Sequence, residues 1–178
     1  MKKIAVIFAV FVSSLSIGQD NISSINLRIA DSIRKSNINW NHVYNEFLIL
    51  LNEYRKSNNL SNVVLDTNVY RAAKFQSEYM LKTNTLTHET NITGYKTLWD
   101  RMETFNISGS RFGECGVVGN ILLAVTKNQS LAESVLLRFI DSPGHNKILL
   151  MPEITKIGMS VSRSGYSGGF YTCLVVSN

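Results

Sequence analysis

The sequence predicts an α+β fold with an antiparallel sheet covered by helices. Helical periodicity dominates the chain from Trp40 onward, and two adjacent strand-like runs close it. Strands do not alternate regularly with crossover helices, which argues against a doubly wound sheet. The chain has 178 residues, 44% apolar and 17% charged. That suffices for one domain with a sizeable core and excludes a disordered chain. No internal repeat appears at a period of 20–50 residues.

The N-terminus reads as a cleavable signal peptide, residues 1–18. Lys2 and Lys3 supply the charged start. Ile4 to Leu15 is apolar but short for a membrane span, and Ser16-Ile17-Gly18 offers small residues for a cut near Gly18/Gln19. The expected location is therefore secreted or periplasmic. The mature chain has no segment long and apolar enough to cross a membrane. Loss of Lys2 and Lys3 lowers the net charge from +5 to +3. That charge is weak and scattered, and no basic run is interleaved with aromatics, so nucleic acid is not an expected partner.

Residues 19–38 are polar and Asn/Ser-rich and read as an N-terminal arm before a domain over 39–178. A helix begins at Trp40, capped by Asn39. Trp40, Val43, Tyr44, Phe47, Leu48, Leu51 and Tyr54 share one face of it. "VVLD" is too short to classify. Asp66 or Thr67 then caps a second helix through about Leu81, whose apolar face is Val69, Ala72, Ala73, Gln76 and Met80. A polar loop carries His88, and "TLWDRMETF" is a short helix. "RFGECGVVGN" opens a strand or irregular extended segment. Ser130 and Glu133 form the S-x-x-E pattern of a capping box before "SVLLRFID". Pro143 ends that helix near Ser142, and "NKILLM" resumes a helical pattern. "KIGMSVSRS" and "GFYTCLVVS" read as a terminal hairpin.

The chain has three histidines. His42 sits in a first helical turn with no chemistry beside it and reads as a surface or packing residue. His88 and His145 lie in a loop and at a helix start, where sites are built on rigid scaffolds. Glu114 stands between Gly113 and Cys115 in an apolar segment, so it is either exposed or buried with a partner. Two histidines and one carboxylate can form a first shell for zinc with an open position. The alternative is three unrelated structural residues, with His145 capping or packing its helix.

Six short motifs occur in the order of a known family. They are Asn52-x-x-Arg55, "VVLD" followed by the Ala72-Ala73 helix, Thr87-His88, Gly113-Glu114-Cys115, "FIDSPGHNKIL", and "KIGMSV" with "GFYTCLVV". Together they resemble the secreted CAP domain, also called SCP/PR-1-like, in its bacterial branch, over roughly residues 43–176. The resemblance implies an α-β-α sandwich with a central antiparallel sheet and a cleft joining two histidines and two acids. His88, Glu114 and His145 match three of those four positions. Ser142 stands where the second acid would be, and the adjacent Asp141 would point elsewhere.

Cys115 and Cys173 are the only cysteines. Relative to the family pattern they replace Asn and Gln on strands of the sheet, which implies a paired exchange to a disulfide in an oxidising compartment. The alternative is two buried free thiols.

Three functional readings follow. One is a cleft that binds a metal ion such as zinc, a small ligand or a cell-envelope component without turnover. The second is a metal-dependent hydrolase using the same cleft, which would lack one carboxylate. The third is a structural or interaction module. The expected assembly state is a monomer.

Overall fold

The computed structural model describes residues 38–120, 129–163 and 169–178. The signal peptide and nearly all of the polar arm lie outside these residues. Helix α1 (Trp40–Ser57) starts where Asn39 accepts from the His42 amide. Strand β1 (Val64–Leu65) precedes helix α2 (Thr67–Thr83), whose N-cap Asp66 accepts from the Asn68 and Val69 amides. Helix α3 (Leu98–Thr104) opens with a full Thr97/Asp100 capping box. Strand β2 (Phe112–Asn120) follows, then helices α4 (Leu131–Ile140) and α5 (Pro143–Leu149). Strands β3 (Lys156–Arg163) and β4 (Gly169–Ser177) complete the chain. Ser130 caps α4 by accepting from the Glu133 amide.

The sheet order is β1-β3-β4-β2. β4 pairs antiparallel with β3, as the terminal hairpin predicts, and on its other edge antiparallel with β2. β1, too short to classify in sequence, pairs parallel with β3, so the sheet is not wholly antiparallel. Its two residues are fixed by the Val64 amide on the Thr155 carbonyl and the Asp66 amide on the Ile157 carbonyl.

Side chains alternate across a sheet, so each face has its own core. On one face Cys115, Ile157, Met159, Leu174 and Val176 meet α1 and α4. Phe47 of α1 stands edge-on to Phe139 of α4, ring centroids 6.3 Å apart, and both are fully buried. On the other face Cys173 and Val175 meet Val69, Ala72, Ala73 and Met80 of α2 and Met102 of α3. The result is an α-β-α sandwich. Gly158 allows α2 to lie directly on β3, because a Cβ there would stand 2.1 Å from the Tyr70 nitrogen. Ser77 of α2 also reaches the Ser160 and Ser162 hydroxyls of β3 at 3.1 and 2.9 Å.

Asn52-x-x-Arg55 proves to be a clamp. The Asn52 side chain donates to the Val63 carbonyl and accepts from its amide. Arg55, fully buried, donates to the carbonyls of Ser61, Leu149 and Met151. A cation at the end of α5 satisfies carbonyls that the helix leaves open. Tyr54 adds a hydrogen bond to the Asn146 side chain at 2.9 Å. Helix α1 therefore fixes both the position and the rotation of α5. That helix begins earlier than expected. Pro143 occupies its first turn, where a missing amide proton costs nothing, and His145 lies inside the helix.

The expected disulfide does not form. Both cysteines are free and buried. Cys173 pairs across the ladder with Gly116, while Cys115 pairs with Leu174. This one-residue offset sends the two thiols to opposite faces and into different cores. Denaturing the protein without reductant and alkylating it should add two groups by intact mass; an unalkylated chain would mean a different β2–β4 register.

Candidate functional site

The sandwich brings the sequence-derived residues to the β2 side of the sheet. Glu114 projects from β2 onto the α2/α3 face, with its side chain only 4% exposed. His88 descends from the loop after α2, and its Nδ1 lies 2.8 Å from Glu114 Oε1. Gly116 makes room for it, since a Cβ there would meet Leu86 at 3.3 Å and His88 Cε1 at 3.8 Å. His145 approaches from α5 on the other side of β2. Its carbonyl lies 3.9 Å from the Cys115 sulfur, and its ring stands edge-on to Phe139, centroids 5.4 Å apart. The two imidazole centroids are 6.5 Å apart, with planes at 69°. His42 is exposed on α1 and takes no part. Asp141 is exposed at the end of α4, as its C-cap.

Sequence reasoning missed Arg101. This residue of α3 is fully buried and ion-paired through Nη2 to Glu114 Oε2. Its guanidinium also donates to the His88 carbonyl at 3.3–3.4 Å and to the Tyr95 carbonyl at 3.2 Å. One cation thus grips the carboxylate, the backbone of its histidine partner and the loop between them. In sequence, Arg101 sits beside Trp99, Asp100 and Met102 on a short helix and looks like a solvated charge. Only the packing of α3 on β2 reveals its partner.

Both Glu114 oxygens are therefore occupied, one by His88 and one by Arg101. Among the described residues, no group of three or more His, Cys, Asp or Glu is arranged to hold a metal ion. The electrostatics separate the two imidazoles. The bond to Glu114 raises the His88 pKa above its ordinary value, against burial and Arg101, which act to lower it. Burial, and secondarily the neighbouring His88, lower that of His145. Burial, with help from Glu114, pushes both thiols far up, so neither is a ready thiolate.

Comparison with known proteins agrees with this architecture. The model of the CAP, cysteine-rich secretory protein family matches residues 48–175. The chain belongs to the CAP family. It is 28% identical over 116 residues to the protein YkwD of Bacillus subtilis, covering 65% of this chain and 41% of that protein. An extracellular SCP-domain protein of Bacillus anthracis has a similar structure, with a TM-score of 0.59 and 24% identity over 75% of this chain and 40% of its own. An outer surface protein of Borrelia burgdorferi matches with a TM-score of 0.63 and 19% identity over 79% of this chain and 96% of its own. The CAP chain thus spans about two-fifths of YkwD and of the B. anthracis protein. Among the described residues no helix is long and apolar enough to cross a membrane.

Two outcomes test the electrostatics of the site. Arg101→Met should cost about 3–5 kcal/mol in denaturant unfolding, because it strands a buried carboxylate, and adding Glu114→Gln should recover part of that loss. Additive losses in the double variant would mean the pair is not coupled. In an NMR titration with chelator present, the His88 ring should protonate at higher pH than His145, and Glu114→Gln should lower the His88 midpoint. Because its folded pKa is raised, the His88–Glu114 bond should contribute fully to stability below about pH 6.5. That contribution should fade as pH rises through the folded value. His145 has the opposite sign, its protonation opposing folding as pH drops below about 6.5.

Proposed function

We propose that this chain is an exported CAP-domain binding module, and that its cleft takes a divalent ion such as zinc on the two imidazoles without turnover. The observation that carries the proposal is the hydrogen bond from His88 Nδ1 to Glu114, itself held by Arg101. A carboxylate accepting from Nδ1–H fixes the tautomer and leaves the lone pair of the other nitrogen, Nε2, free to bind a metal ion. In this reading Glu114 orients His88 and is not itself a ligand, because a metal at Glu114 would sit against the Arg101 cation. His88 and His145 would hold the ion. Bound there, it would supply a Lewis-acidic point for a donor atom of a small ligand or cell-envelope component.

The same engagement of Glu114 argues against turnover. A general base must be free to take a proton, and this carboxylate already has both oxygens committed. Ser142 stands where a second acid would have to act. The Ile4–Leu15 run supports export, and the B. anthracis and Borrelia relatives are described as extracellular and outer-surface proteins.

Calorimetric titration of zinc into the protein should give one weak site. His88→Ala and His145→Ala should each abolish it, and Glu114→Gln should weaken it about 10- to 100-fold, as loss of an outer-shell partner does. Unchanged zinc binding by His88→Ala would overturn the metal reading. Hydrolysis of any member of a peptide, ester and peptidoglycan panel, lost in Glu114→Gln, would overturn the non-catalytic one.

A further inference from the structure

A cavity of about 240 Å³ lies against α3 and is lined by none of His88, Glu114 or His145. Its walls include Trp99, Met102, Ile107 and Phe112, and Glu103 and Ser108 also line it. Met102 is 3% exposed and gives the cavity a fixed apolar base. Trp99 is 59% exposed, the most open aromatic among the large exposed hydrophobic residues described. Its ring and that of Phe112 stand 5.3 Å apart and are inclined at 50°, so the two form a wedge.

Trp99 and Glu103 are four apart on α3, so one helical face presents an indole and a carboxylate one turn apart. Arg101, two residues from each, points inward to Glu114, so its cation is unavailable to either. Glu103 forms no ion pair among the described residues, and no cation of the described chain lies over the Trp99 or Phe112 ring. The capping box at Thr97 and Asp100 holds this short helix in place, so the arrangement is preformed.

The chemistry of the walls selects a ligand. An aromatic face attracts a cation through its quadrupole, tryptophan most strongly, and a nearby carboxylate adds an opposite charge. Apolar walls penalise a strongly hydrated ammonium or metal ion, which would have to shed water there. A cation clothed in methyl groups satisfies both demands. We propose that the Trp99–Phe112–Glu103 cavity binds a quaternary ammonium group, independently of the histidine cleft.

The test uses Trp40→Phe as background, so that Trp99 is the only indole. Choline is titrated against its neutral isostere 3,3-dimethylbutan-1-ol, with tryptophan fluorescence and calorimetry as readouts. Choline should produce a saturable change and bind at least about tenfold more tightly than the isostere. Glu103→Gln should weaken choline about three- to tenfold, in the range of an exposed cation–π or ion-pair contribution. Trp99→Ala should abolish binding by calorimetry while keeping the thermal midpoint, since the ring is largely solvent-facing. Equal binding of choline and isostere, or undiminished binding by Trp99→Ala, overturns the proposal. Saturation by N-acetylglucosamine with no response to choline does so as well. Sedimentation with phosphatidylcholine but not phosphatidylglycerol vesicles would assign the ammonium to a lipid headgroup. Binding of free choline without vesicle binding would assign it to a soluble compound, and binding of neither overturns the site.

Discussion

The grouping of His88, Glu114 and His145 depends on one buried ion pair, Arg101 with Glu114. A carboxylate on an inner face of a sandwich is unstable unless something replaces its water. Here α3 supplies a guanidinium with no solvent exposure, and the loop after α2 supplies an imidazole. The guanidinium also binds the His88 carbonyl, so charge compensation and loop anchoring are one event. Desolvating such a pair is costly, and an apolar substitute of equal shape could be as stable. The positional gain is clear: an otherwise polar loop presents a half-exposed imidazole in a defined orientation.

Arg55 does the corresponding job on the other side of the sheet. Among the described residues it pairs with no carboxylate. Instead it collects carbonyls from the end of α5 and from the turn after α1. Helix α5 has seven residues and would not hold its position alone. Tied at its end by Arg55 and along its length by Tyr54 to Asn146, it holds His145 against Phe139. Two buried arginines on opposite faces thus fix the two histidines.

Much of this was legible in sequence where local rules govern. The faces of α1 and α2, the Asn39 and Asp66 caps and the terminal hairpin follow from periodicity and capping chemistry. What was not legible is what depends on register and docking. The pairing of Cys115 with Leu174 is set by how β2 lies along β4, and one residue decides whether two thiols meet or part. Arg101 was invisible because a charge on a short helix is ordinarily solvated. His88, Glu114 and His145 stood out through family motifs; their spacing alone, scattered over the chain, matched no compact ligand pattern.

The edge strand itself explains how two elements on opposite faces can bring their histidines together. Gly113 and Gly116 are three apart on a structure of period two, so they face opposite sides of the sheet. A Cβ on Gly113 would stand 2.8 Å from Ile148 of α5, and one on Gly116 would press on Leu86 and reach His88. Each glycine removes the side chain that would hold its neighbour away. The His145 helix closes in at the first and the His88 loop at the second. Glu114 and Cys115 between them turn to opposite faces, the acid to His88 and the thiol to the His145 carbonyl. A segment that reads as an irregular strand is therefore a spacer only one peptide thick, and that thinness lets imidazoles from two layers approach within 6.5 Å.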